Sequence, residues 1–205
     1  AGKNLAHVLE QIRDPGRSAT AKLRATMRPY QVKGFAWLQF MTRLGLGACL
    51  ADDMGLGKTL QVIALLLARQ EETKAPGLLI VPASLVGNWK AEVAKFAPDL
   101  KLFIAHPSQT AREELDLAAK HPAEALRGFD AMLTTYQFLQ RTESWQAHPW
   151  SVVILDEAQA IKNPGSASTK AVIFASNAAR HKASASHHER VLSGFSSIHQ
   201  PVAFP

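Results

Sequence analysis

The segment that most constrains the fold is residues 51–59, which reads Ala-Asp-Asp-Met-Gly-Leu-Gly-Lys-Thr. It lies between two apolar runs, residues 46–50 and 60–68. A short apolar stretch, a glycine-rich loop and an amphipathic helix, in that order, form the setting of a phosphate-binding loop. Gly55 and Gly57 let the backbone turn tightly enough for successive N–H groups to converge on an anion. Lys58 sets a positive charge against the β- and γ-phosphates, and the Thr59 hydroxyl is a ligand for Mg²⁺. The helix starting here points its positive dipole end at the same anion. The strict pattern Gly-x-x-x-x-Gly-Lys-Ser/Thr fails, however, because Asp52 stands where the first Gly belongs. Gly-Lys-Thr alone also fits a glycine-rich helix N-terminus with a solvated lysine.

A second segment narrows the choice. Residues 151–159 read Ser-Val-Val-Ile-Leu-Asp-Glu-Ala-Gln. Four apolar residues, mostly β-branched, predict a strand buried on both faces of a parallel sheet. Two carboxylates then fall at its C-terminal end, where α/β sheets bind ligands. Asp156 is placed to hold Mg²⁺ through water, and Glu157 to orient or deprotonate an attacking water. The structural alternative is an acidic pair capping the next helix. Each segment supplies the half-site that the other requires.

Together these residues resemble the Swi/Snf-type ATPases, a branch of the superfamily-two helicases. In that family an acidic pair usually replaces the early Gly of the phosphate loop, so Asp52-Asp53 supports the resemblance. Met27-Arg28-Pro29-Tyr30-Gln31 and Gly34-Phe35-Ala36-Trp37-Leu38 look like its opening motif. Val81-Pro82-Ala83-Ser84-Leu85 with Asn88-Trp89, then Thr134-Thr135-Tyr136, then Ala160-Ile161-Lys162-Asn163-Pro164, match three more. The resemblance covers about residues 23–172. It implies a nucleotide site built from Gln31, Asp53, Met54, Gly55, Leu56, Gly57, Lys58 and Thr59, with Lys58, Asp156 and Glu157 catalytic and Thr59 and Asp156 on Mg²⁺. Gln31 would read the adenine edge, since an amide offers donor and acceptor together; by itself it is an ordinary surface Gln. The resemblance also sets Ser84, Asn88, Lys90, Thr134 and Thr135 against duplex DNA, where contacts to phosphates position but do not specify. Without it, the two threonines are β-branched residues finishing a strand, and Trp89 reads as core.

Charge agrees with a polyanionic partner. Of 23 basic and 17 acidic residues, eight and two lie in the first fifty, so the whole net charge of +6 sits there. Such a segment beside a nucleotide site attracts DNA, although residues 1–22 also read as a basic, solubilising leader. Cys49 is the only cysteine. It excludes an intrachain disulfide, fits a reducing compartment, whether cytoplasm, nucleoid or nucleus, and reads as a small buried residue. No apolar run approaches the roughly 18 residues of a membrane span, and no signal pattern opens the chain.

The remaining pattern alternates strands and helices. A helix over residues 29–43 starts at Pro29, and residues 46–50 feed the phosphate loop as a strand. Strands follow at 78–81, 102–105 and 131–134. Ser84 caps a helix through Phe96, a charged helix covers 110–120, and a loop at 145–150 leads to the carboxylate strand. The fold class is therefore α/β, a parallel sheet with helices on both faces. The resemblance makes it a RecA-like, three-layer helicase lobe over residues 23–174.

After Val172 the resemblance fades. A strand and a Thr-Gly-Thr-Pro-type motif are expected, but residues 175–205 run through Ala, Ser and His as a divergent, disordered tail. Val191-Leu192-Ser193-Gly194 matches half of that motif before Phe195 breaks it. His181, His187, His188 and His199 lack a regular ligand spacing. A truncated gene, frameshifted near residue 174, accounts for the tail, and the other reading frames of the coding DNA test this. Two-lobed motors take an arginine finger worth about 10³–10⁵ in rate from the second lobe, so nucleotide binding without efficient turnover is expected of this chain alone. Three functions remain: the ATP-binding lobe of a DNA translocase, an inert remnant that binds nucleotide or DNA, and an unrelated nucleotide-binding regulator. Gln31 and the Asn88-Trp89 segment argue against the last.

Overall fold

The computed structural model describes residues 21–51 and 55–184, the last five as backbone alone. Four parallel strands form one sheet in the order β2-β3-β1-β4. They are β1 (Gly77–Val81), β2 (Leu102–Ala105), β3 (Ala131–Thr135) and β4 (Val153–Leu155). β1 lies inside the sheet, with Leu79 level with Leu133 on one side and Ile154 on the other. All five of its residues are buried, which explains its unbroken apolar run.

Successive side chains of β1 point to opposite faces. Leu79 and Val81 join Phe35, Ile63, Leu67 and Leu133 in one core. Leu78 and Ile80 join Phe103, Met132, Trp145 and Trp150 in the other. The first core is covered by α1 (Pro29–Arg43), α2 (Lys58–Glu72) and α3 (Val86–Phe96). The second lies under α4 (Arg112–Lys120), the single turn α5 (Pro122–Ala125), α6 (Tyr136–Arg141), α7 (Glu143–Gln146) and α8 (Ala167–Ser184). This is the expected α/β architecture, and the predicted bounds of α1 and β2 hold. Among the described residues no helix is long and apolar enough to cross a membrane.

Several expectations need correction. Residues 46–50 form no strand: neither edge of the sheet pairs with them, and Leu46 stays 54 % exposed. Cys49 is exposed for the same reason. β4 is half-buried throughout, because it forms an edge of the described sheet. Ser84 does not cap α3. The chain leaves β1 through a turn, Ala83–Leu85, in which the Leu85 N–H donates to Pro82 O, so the helix begins at Val86. The boundary drawn at residue 174 falls inside α8, which buries Ala171, Val172 and Ala175. The small side chains of Ala171 and Ala175 let α8 pack closely on α6 and α7, and the helix continues through residues 175–184. Residues 1–20, including most of the basic leader, and residues 185–205, with His187, His188, His199 and the partial motif at 191–194, lie outside the described residues.

The two kinds of apolar position should respond differently to truncation. Leu79→Ala opens a cavity in the buried sheet and should cost about 2–5 kcal/mol. Leu46→Ala should stay within about 0.5 kcal/mol. Urea unfolding of the two variants checks the contrast.

Candidate nucleotide site

α2 orients the glycine-rich loop that precedes it. Its C-terminal half is fastened to the side of the sheet where strands begin. Arg69 donates to Ser151 O at 3.3 Å, and Gln70 donates to the Asp130 carboxylate at 3.0 Å. The N-terminus of α2, with Lys58 and Thr59, is thereby turned toward the opposite side, where β1, β3 and β4 end. Gly57 precedes the first turn with φ +74°, and Gly55 has φ +85°. Both sit in the left-handed region that glycine enters without strain. Lys58 and Thr59 are half-buried. Asp53 and Met54 lie outside the described residues.

The opening motif braces this loop. Gln31 is 7 % exposed. Its Nε2 donates to Leu56 O at 3.0 Å and its Oε1 accepts from the Arg28 N–H at 2.8 Å. The Tyr30 hydroxyl donates to the same Leu56 carbonyl at 3.2 Å. A Cβ on residue 57 would stand 2.3 Å from Gln31 Nε2. Gln31 therefore spans α1 and the loop, a bracing role that its polar character alone did not reveal. The amide keeps a second N–H and a second lone pair for another partner.

The carboxylate pair follows β4 as expected. Asp156 is held at four points. Its N–H donates to Ile80 O at 2.9 Å, and its carbonyl accepts the Tyr136 hydroxyl at 2.7 Å. Its Oδ1 accepts the Glu157 N–H at 3.0 Å, and its Oδ2 accepts the Trp89 indole N–H at 2.8 Å. Glu157 has φ +53° and ψ +53°, the only non-glycine with positive φ among the described residues. For such a side chain this costs about 1–3 kcal/mol, and strain of this kind clusters at functional sites. Its carboxylate accepts a hydrogen bond from Gln159 Nε2. Burial, then the negative charges of Asp156 and Glu157, push the Tyr136 phenol well above its ordinary value.

These donors fit Mg²⁺. Each Asp156 oxygen accepts one hydrogen bond and keeps lone pairs, and Thr59 adds a half-buried hydroxyl. Hard oxygen donors few in number are what Mg²⁺ uses when phosphates complete its shell. Among the described residues no group of three or more His, Cys, Asp or Glu side chains gathers.

The five residues set against DNA divide into two groups. Ser84, Asn88 and Lys90 are exposed around the start of α3. Lys90 donates to Gln109 Oε1 at 2.6 Å and retains two further N–H donors. Thr134 is fully buried, its hydroxyl donating to Ala105 O at 3.1 Å. Thr135 is 3 % exposed and caps α6 by accepting the Phe138 N–H at 3.3 Å. Both threonines are thus buried inside the lobe: the Thr134 hydroxyl donates to a neighbouring strand, and the Thr135 oxygen serves the first turn of α6. Trp89 is buried, as a core reading requires, yet its indole also reaches the carboxylate site. The signal for that was its place between two polar positions of one helix.

Comparison with known proteins identifies the family and agrees with the fold. The SNF2-related domain matches residues 30–185. The Bacillus subtilis (strain 168) protein YwqA is 40 % identical over 161 residues, covering 77 % of this chain and 17 % of that protein. The Arabidopsis thaliana chromatin-remodeling ATPase INO80 is 37 % identical over 158 residues, covering 73 % of this chain and 10 % of its own length. The Sulfolobus solfataricus SWI2/SNF2 ATPase core in complex with dsDNA superposes with a TM-score of 0.64 at 42 % identity, over 75 % of this chain and 30 % of that one. The chain thus spans less than a fifth of the length of these two curated relatives.

Two consequences follow from the site's geometry. A methyl group on residue 57 meets both a left-handed backbone and the Gln31 amide, so Gly57→Ala should destabilise the lobe by about 1–2 kcal/mol, read by thermal unfolding. The Tyr136 phenol has a folded-state pKa raised above its unfolded value of 10.0. Its contribution to stability is complete below about pH 10 and is lost as pH rises toward the folded value. Tyr136→Phe should therefore flatten the alkaline fall in stability. Near neutral pH it should cost about 0.5–1.5 kcal/mol for the lost hydrogen bond. Urea titrations at about pH 7 and about pH 11 separate the two effects.

Proposed function

Since the chain belongs to the SNF2-related domain family, we propose that it is the ATP-binding lobe of a DNA-dependent, helicase-like translocase. The observation that carries this reading is the fixed carboxylate pair at the end of β4, set on the same side of the sheet as the phosphate loop at the head of α2. Backbone N–H groups of residues 55–59 and the α2 dipole take the phosphates. Lys58 neutralises charge on the β- and γ-phosphoryl groups. Thr59 and Asp156 would hold Mg²⁺, which when bound draws charge from the transferring phosphoryl group. Glu157 orients the attacking water and accepts its proton. Gln31, already braced against Leu56, offers its second N–H and lone pair to the adenine edge.

Ser84, Asn88 and Lys90 form the candidate DNA face. One cationic and two neutral donors on one helix start suit a phosphate backbone and carry no base specificity. Thr134 and Thr135 contribute by fixing the strand end and the first turn of α6 rather than by hydroxyl contact. That the Sulfolobus solfataricus relative is a complex with dsDNA supports duplex DNA as the partner. Turnover and translocation are proposed for this lobe acting with a second lobe that supplies the arginine finger.

ATP hydrolysis with and without duplex DNA, together with Mg-ATP binding by calorimetry, tests the reading. Lys58→Ala should abolish Mg-ATP binding while leaving the fold intact. Duplex-stimulated turnover lost in the variant would identify a working ATPase. Binding without turnover would identify a half-site that needs its partner lobe. Mg-ATP binding unchanged by Lys58→Ala would overturn the proposal.

A further inference from the structure

Trp89 is 4 % exposed and sits on α3 between Asn88 and Lys90, both exposed. The two faces of α3 therefore look at different things. The outer face carries polar groups toward solvent. The inner face packs with Leu79, Val81 and Val86 and ends in the indole N–H, 2.8 Å from Asp156 Oδ2.

The other contacts of Asp156 leave its carboxylate only half determined. Backbone bonds to Ile80 and Tyr136 fix the position of the residue, and Oδ1 takes the adjacent Glu157 N–H. That bond is to the next residue in the chain and is local. Among the described residues the indole bond is the one side-chain hydrogen bond to this carboxylate that comes from a distant element, and it restrains rotation of the carboxyl plane. Indole suits the task because its N–H is a donor only and offers no lone pair to a metal ion. It is also a rigid, buried plate whose position is set by the core.

We propose that Trp89 is a positioning residue: through its indole N–H, α3 sets the orientation in which Asp156 presents its free lone pairs to Mg²⁺. The proposal rests on the nucleotide reading above. Groups that orient a metal's ligands in this way typically change metal affinity about 10–100-fold when removed.

The test uses the 205-residue chain and a fluorescent N-methylanthraniloyl derivative of ADP, with binding followed by anisotropy as Mg²⁺ is titrated. Trp89→Phe keeps an aromatic ring in the core and removes the donor. It should raise half-saturating Mg²⁺ about ten-fold while leaving nucleotide affinity in EDTA unchanged. Val93→Ala loosens the same helix at another buried position and has no polar group to lose. It should leave half-saturating Mg²⁺ unchanged, so an equal shift in both variants would overturn the proposal by showing a general packing effect. No shift in Trp89→Phe would overturn it directly.

A second measurement needs no variant of Trp89. In ¹H–¹⁵N spectra of the unaltered chain, the Trp89 indole resonance should move when Mg²⁺ is added with ADP, and a stationary resonance would refute the link. If the unaltered chain shows no Mg²⁺-dependent nucleotide binding, the nucleotide reading itself fails and this inference falls with it. Mg²⁺-dependent binding that Trp89→Phe leaves untouched removes only the inference.

Discussion

The placement of β1 between β3 and β4 governs the rest of the lobe. A parallel strand inside a sheet must bury both faces, so its side chains have to satisfy two cores at once. Leu78 and Ile80 serve one, Leu79 and Val81 the other. The same strand gives Ile80 O to the Asp156 N–H, so the main chain of the carboxylate residue hangs from a strand buried along its whole length. Val81 also delivers the chain to α3, which returns Trp89 to that carboxylate. A single buried pentapeptide thus fixes the Asp156 backbone directly and its side chain through one intermediate helix.

Rigidity of this kind suits groups that must stabilise charge without reorganising. It also explains the strain at Glu157. The backbone enters the left-handed region immediately after Asp156, because the Asp156 carbonyl is claimed by Tyr136 and its Oδ1 by the Glu157 N–H. The turn closes over those bonds and sends Gln159 back toward Glu157. The hydrogen bonds hold a conformation that an isolated peptide would leave.

Much of this was legible in the residues themselves. Apolar runs bounded by Pro, Gly and charged positions marked β1, β2 and β3, and Pro29 marked the start of α1. Glycines before Lys58 marked the loop. What could not be read were properties that depend on neighbours far away in sequence. Residues 46–50 carry the composition of a buried strand, yet a strand exists only where another strand takes its N–H and C=O groups. Thr134 and Thr135 have hydroxyls that suit a phosphate, but strand order turns the first to the Ala105 carbonyl and the start of α6 turns the second to the Phe138 N–H. The alanine-rich stretch after Phe174 has low hydrophobic content and looked like a tail. A short side chain is what close helix packing needs, and α8 runs through it.

The exposed stretch before the phosphate loop leaves one practical legacy. Cys49 is the only sulfhydryl in the chain and it lies on the surface, nine residues ahead of Lys58. A single accessible thiol accepts one fluorophore or spin label, without competing sites and without removing native cysteines. Its nearness in sequence to residues 55–59 makes it a natural reporter: a dye there would register rearrangement of the loop in real time. The same placement leaves the thiol open to oxidants, so preparations of this chain belong under reducing conditions.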